Sequence, residues 1–186
     1  MLAAGFIEWV LWANKEGVAV TQIGHIQVIK PGYNEEGKSD PFAYLLPQDS
    51  AALSVVEKQP DVKSVTPRVD FNGLISHGDS TLSFIGQGID PIKDPAMRYL
   101  IIVEGQALSA EDPKGILVGT GLAANLGIRV GDTIVLLTST RTGGLGAVEG
   151  HVRGLVSTSM KAYDDSMLRV SVELSRQLLR VSGAHI

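Results

Sequence analysis

GILVGTGLAANLGIRVGDTIVLLT, residues 115–138, decides the fold of this chain. Gly115-Ile116-Leu117-Val118 is a short apolar run, suited to a strand buried on both faces. Thr120 is placed to cap a helix whose apolar positions are Leu122, Ala123 and Leu126, and Gly127 supplies the left-handed turn that ends it. Gly131-Asp132 then makes a tight entry into a second strand over residues 133–138, rich in β-branched side chains. The stretch therefore reads as strand, a helix of about two turns, turn and strand, placed at the centre of the fold.

The same residues imitate a cofactor motif. Gly119-Thr120-Gly121-Leu122-Ala123-Ala124 fits G-x-G-x-x-A after a strand, the dinucleotide fingerprint. That fingerprint needs a long crossover helix and an acidic residue about 20 positions on. Here the helix stops at Gly127, and residues 138–142 carry no acid. The glycines read as turn and packing residues, and no cofactor is expected.

The chain has 186 residues, of which 44% are hydrophobic, enough for one medium domain or two small lobes with a real core. Charge is balanced, 16 basic against 20 acidic residues. With no basic run or basic–aromatic patch, nucleic acid is not an expected partner. The absence of cysteine removes disulfides and thiolate chemistry. No uncharged apolar segment reaches the length of a bilayer span, and Glu8 interrupts the apolar start, which is not a signal peptide.

Residues 2–16 read as a helix that is apolar nearly all round, with Trp9 and Trp12. That pattern suits a segment leaving a membrane interface and equally a buried terminal helix. Residues 18–30 alternate as a long strand closed by Pro31-Gly32. The loop that follows contains Gly32-Tyr33-Asn34-Glu35-Glu36-Gly37-Lys38-Ser39, a match to the phosphate-loop pattern. Glu35 and Glu36 would place negative charge among the phosphates, and Asp40-Pro41 opposes the helix that the serine must open. Further on, Asp49 is expected to cap a helix to Lys58, and residues 62–76 and 81–89 form a hairpin around 77–80. A turn-rich break at 90–95, a strand at 99–104 and a turn at 109–114 lead to the central unit. After it come a tip at 139–146, a strand at 147–158, a polar loop at 162–166, a strand at 168–172 and a helix at 173–181 ended by Gly183.

No chemistry-bearing constellation emerges. There is no G-x-S-x-G elbow, and His25, His77, His151 and His185 are scattered without metal-ligand spacing. The carboxylate pairs Asp164-Asp165 and Glu35-Glu36 fall in loops.

Three segments taken together resemble the extracytoplasmic domain of ABC transporter permeases of the MacB/LolC/LolE (FtsX-like) family. Gly24-His25-Ile26-Gln27-Val28 with Pro31-Gly32-Tyr33 is similar to the strand that follows the first transmembrane helix of lipoprotein-releasing permeases. The central unit, Gly115 to Asp132, is similar to the family's strand, LAxxLG helix and VGD turn. Tyr163-Asp164-Asp165 through Leu179 is similar to its last strand and helix.

The resemblance implies an α+β fold: a split α/β Porter-like lobe (residues 18–70 plus 164–186) with an inserted β-rich Sabre-like lobe (71–163). Residues 1–17 would be a helix emerging from the first membrane span, with further spans flanking the chain and one more strand after Ile186. It also implies a non-enzymatic domain on the periplasmic side of the membrane that couples ATP hydrolysis by a separate ABC ATPase subunit to export or extraction of a substrate. A second permease subunit and a periplasmic partner or lipoprotein cargo would complete the assembly. LolC-type members carry a longer, proline-bearing hook where this chain has residues 139–146. Arg141, Thr142 and Leu145 are the candidate partner or cargo contacts in that tip; a plain hairpin connection is the competing reading. For the whole chain the competing class is a small-molecule-binding, β-barrel-like module, because strand–LG–x–x–x–GD–strand units also occur in unrelated barrels.

Overall fold

The computed structural model describes residues 7–9, 26–37, 40–48, 50–98, 100–158 and 160–186. Its elements in chain order are α1 (Tyr33–Glu36), a 3-10 turn (Pro41–Tyr44), β1 (Leu46–Pro47), α2 (Ala51–Glu57), β2 (Arg68–His77), β3 (Ser80–Ile89), a second 3-10 turn (Pro95–Arg98), β4 (Ile101–Gly105), β5 (Gly115–Gly119), α3 (Thr120–Leu126), β6 (Thr133–Ser139), β7 (Leu145–Ser157), α4 (Lys161–Asp164), β8 (Met167–Ser171), α5 (Val172–Leu179) and β9 (Gly183–Ala184).

Six of the strands close on themselves. In the order β7–β5–β8–β3–β2–β6, neighbours pair, and β6 returns to β7. The long β7 makes closure possible: its first half pairs with β6 from Leu145 to His151, and its second half pairs in parallel with β5. The fourth strand, β4, adds to that second half as an outer strand. A closed ring leaves few unpaired edges, and a barrel of this size is filled by its own side chains.

Alternation in β2, β6 and β7 points every second residue inward. Val69, Phe71, Ile75, Phe84, Ile134 and Leu136 meet there with 5% exposure or less. Phe71 and Phe84 meet edge to face at 5.6 Å. Strands β5 and β8 are buried on both faces. Their outward residues Leu117 and Met167 lie under a smaller cluster with Ile89, Leu100, Leu108 and Val156. Full burial of each such aliphatic side chain stabilises the fold by roughly 1.5–3 kcal/mol. The fully buried Arg169 shares that outer layer. Burial pulls its pKa down, while its interaction with Tyr163, to whose oxygen it donates a hydrogen bond, and the charge of Asp94 work against that pull.

The central stretch forms strand, helix, turn and strand, with Gly127 (φ 72°) and Gly131 (φ 96°) in the left-handed region. The cap differs from expectation: Gly119 holds the N-cap position and Thr120 is already helical. In α2 the cap is Ser50, whose side chain accepts from the Ala52 N–H, while Asp49 lies outside the described residues. Of the helix expected at 2–16, only residues 7–9 are described, and they are helical. Residues 18–25 of the expected first strand lie outside the described residues, and 26–30 belong to no strand. The last helix stops at Arg180, which adopts a left-handed φ of 56°, three residues before the expected glycine. One sheet runs through both expected lobe boundaries: β2 spans residue 70, and β8, beyond residue 163, is an interior strand between β5 and β3.

Candidate functional site

The β6–β7 hairpin ends in a five-residue loop whose last strand pair is Ser139 with Leu145. Thr140 is buried and clasps the loop. Its backbone N–H and its hydroxyl both donate to the Gly144 carbonyl, at 2.8 and 3.0 Å. Gly143 supplies the required left-handed residue (φ 79°) and donates to the Thr140 carbonyl at 2.9 Å. These bonds leave three side chains outside. Arg141 and Thr142 are exposed, and Leu145 keeps 67% of its surface in water. The three residues expected at the tip are therefore brought together there.

The tip is fixed from beneath by a feature that local sequence does not reveal. Gly146 faces inward, and a Cβ there would meet the Leu178 carbonyl of α5. The Arg141 N–H points to the Leu179 carbonyl at 3.4 Å. Gly146 therefore serves close approach to α5, not the loop freedom that its neighbouring glycines suggest. The signal missed is Thr140, a β-branched polar residue that continues the inward alternation of β6 into the loop.

The other end of β7 carries a charged cluster. Asp112 Oδ2 accepts from Arg153 at 2.6 Å and lies 3.0 Å from His151 Nε2. Arg153 also donates to the Ala107 carbonyl and to Gln106, which ties the 106–114 loop to the strand. Burial acts to raise the Asp112 pKa, but hydrogen bonds and charge from Arg153 and His151 outweigh it and hold the carboxyl below its usual range. A carboxylate with a depressed folded pKa adds stability above its unfolded pKa and loses it as pH falls through the folded one. Asp112→Asn should therefore lower the melting temperature at pH 7, and the gap to the parent should close below about pH 4. A gap that stays constant down to pH 3 would refute this, and its size is modest because the pair is partly solvated.

The two glycine motifs serve the fold. Around Gly119 and Gly121 the space is filled by Asp164 and Asp165, whose atoms a Cβ at either glycine would strike. Asp164 is itself held by Thr158 and Ser157, through bonds of 2.7 to 3.1 Å. In the other motif Gly32 (φ 88°) caps α1, Tyr33 packs on His185 at 5.3 Å, and Tyr44 donates to Glu36; Lys38 and Ser39 lie outside the described residues. Among the described residues, no group of three or more His, Asp or Glu is placed to hold a metal ion. No described helix is long and apolar enough to cross a membrane. A cleft of about 200 Å³ lies where α2, β9 and α5 meet, lined by Leu53, Val65, Val172, Glu173 and Arg176.

Comparison with known proteins places this architecture. A family model for the MacB-like periplasmic core domain matches residues 1–183. The lipoprotein-releasing system transmembrane protein LolE of Haemophilus influenzae is 28% identical over 90 residues, 47% of this chain and 22% of that protein. The match thus spans about a fifth of that relative's length. Two solved structures share the fold. One is the extracellular domain of the noncanonic ABC-type transporter YknZ from Gram-positive bacteria, with a TM-score of 0.57 and 12% identity over 81% of this chain and 74% of that one. The other is the periplasmic region of MacB from Actinobacillus actinomycetemcomitans, with a TM-score of 0.52 and 16% identity over 88% of this chain and 65% of that one.

Proposed function

The chain belongs to the family of MacB-like periplasmic core domains, and on that premise we propose that it is the moving extracytoplasmic part of an ABC transporter permease. In this reading a separate ABC ATPase subunit supplies the energy, a second permease subunit completes the assembly, and the domain carries the movement to a substrate or partner outside the membrane. The membrane-proximal lobe is residues 18–70 with 164–186, and the outer lobe is 71–163. Because β2 and β8 join them in one sheet, the outer part moves with the barrel as a unit.

The observation that carries the reading is the tether between the β6–β7 tip and α5. From Leu178 and Leu179 beneath the tip, the chain runs through Arg180 to β9, which pairs with β1 next to the N-terminal segment. A push on that mini-sheet is thereby delivered to Arg141, Thr142 and Leu145. By likeness to a lipoprotein-releasing relative, a lipid-modified protein is one cargo class, and an export substrate is the other. The competing reading, a ligand-binding barrel, has the filled interior against it, since Phe71, Phe84, Ile134 and Leu136 occupy that space.

The test is a triple variant of the tip, Arg141→Ala, Thr142→Ala and Leu145→Ala, in the assembled transporter. All three side chains are exposed, so the melting temperature should stay within a degree or two of the parent. Transport should fall by about tenfold, the loss of roughly 1.4 kcal/mol of contact. Transport at the parent level would reduce the tip to a hairpin connection.

A further inference from the structure

His185 sits where the segment before β1 meets the barrel. Its backbone is pinned to the first residue of β2. The His185 N–H donates to the Arg68 carbonyl at 2.7 Å, and its carbonyl accepts from the Arg68 N–H at 2.8 Å. Its ring meets the Tyr33 ring of α1 with centroids 5.3 Å apart and planes at 68°. Beside it, the Ile186 carbonyl accepts from the Val28 N–H. Residues 28–37 thus touch the 183–186 stretch at adjacent points, and one of them is a titratable side chain.

The place suits a neutral ring. Nδ1 is buried and, among the described residues, has no hydrogen-bond partner. A neutral imidazole with its proton on Nε2 leaves only a lone pair there. An imidazolium donates through both nitrogens, so it would bury a charged N–H without an acceptor. The charges nearby do not reverse this. On β2, Asp70 favours the charged ring, but that carboxylate is exposed and already accepts from Gln87 Nε2 at 2.8 Å. Arg68, on the same strand, is paired with Asp94. On α1, Glu35 and Glu36 are exposed, and Glu36 accepts from the Tyr44 hydroxyl. On α5, Arg176 donates to the Gly183 carbonyl. Burial therefore outweighs Asp70 and holds the His185 pKa below its ordinary value.

We propose that His185 is a proton-operated latch: neutral, it holds residues 28–37 on the barrel; protonated, it lets them go. A base that takes up its proton more readily when released is docked at full strength above its free pKa of about 6.5. Docking weakens as pH falls from there through the docked value. With only four residues, α1 is too short to persist without the surface beneath it, so release melts it. Release stays local, because β1 keeps its own pairing with β9 through Leu46 and Pro47. The latch needs only the ring and its surroundings, whatever the transport role of the chain.

Amide exchange in the 186-residue chain tests it, read at Val28, Glu36 and Gly37, whose N–H groups donate within the docked segment. Protection over the intrinsic rate should be at least about threefold lower at about pH 5 than at about pH 7.5. Amides of β2 and β3 should keep theirs. His185→Phe keeps a ring against Tyr33 and cannot be charged, so its protection should be the same at both pH values. In the unaltered chain the His185 ring, followed by nuclear magnetic resonance, should titrate below about pH 6.5. Tyr33→Ala opens the site to water and should move that titration upwards. Titration at or above about pH 6.5 overturns the latch, since Asp70 and the Tyr33 ring then favour the charged form. So does protection that ignores pH, a loss that His185→Phe shares in full, or a ring indifferent to Tyr33→Ala. If His185→Phe does not fold, the ring titration and Tyr33→Ala still decide.

Discussion

Gly146→Val should lower stability by at least about 3 kcal/mol, a drop in melting temperature of about 6–12 °C for a chain of this length. Gly146 is an inward residue at the base of the tip, and any Cβ there strikes the Leu178 backbone carbonyl and comes within 3.1 Å of Thr140 Cγ2. Neither obstacle is the free end of a long side chain, so the hairpin and α5 must part. Parting them opens the core around Leu178, which is 1% exposed. Two controls bracket the result. At Gly144 a Cβ would meet only Thr140 Oγ1 at 3.4 Å, ordinary contact, so Gly144→Ala should cost little. Ala147→Val, next door but on the outer face, should change stability by less than about 0.5 kcal/mol. Equal losses at all three positions in thermal melts would mean that the glycines serve loop flexibility and not the α5 contact.

That prediction was out of reach of the sequence, and the reason is physical. Three glycines in residues 139–146 look alike locally, yet only Gly146 faces a carbonyl supplied by a helix about thirty residues later in the chain. Residues 115–138, in contrast, were legible because every local signal agreed: an apolar strand, a helix of matching period, and glycines where φ turns positive. The helix end at Arg180 was missed because a left-handed residue without glycine leaves no compositional trace. Closure of the ring through β3–β8 and β5–β7 was missed because alternation tells which residues face inward, not which strand lies alongside. Arg169 defeated the pattern in another way. A strand buried on both faces should be apolar throughout, and this one encloses a guanidinium beside the Gln87 position. The tip side chains Arg141, Thr142 and Leu145 could be named in advance, since exposure of a hairpin end follows from its turn residues.

The buried ion pair at the junction of barrel and terminal segments should give the second large effect. Asp94 has no exposed side-chain surface, and it accepts from Arg68 Nε and from a second Arg68 nitrogen at 2.8 and 2.7 Å. It also accepts from the Ala96 N–H at 2.8 Å, which starts the second 3-10 turn. Arg68 is the first residue of β2, and its backbone exchanges hydrogen bonds with His185, so the side chain and the main chain of one residue join three parts of the molecule. Asp94→Ala removes the carboxylate, opens a gap in a close-packed layer and leaves a guanidinium that is only 13% exposed without its bidentate partner. The expected cost is about 3–5 kcal/mol. Asp94→Asn keeps the shape and an acceptor for Ala96, and should lose less than the alanine variant. The discriminating measurement is the double replacement Arg68→Met with Asp94→Leu, which removes both charges and fills the space. Since desolvation of a buried pair offsets most of its attraction, the double variant should be more stable than Asp94→Ala alone by about 2 kcal/mol or more. Chemical denaturation of the three variants decides it. A double variant as unstable as Asp94→Ala would mean that the pair contributes through its attraction itself, and not through the penalty of being broken.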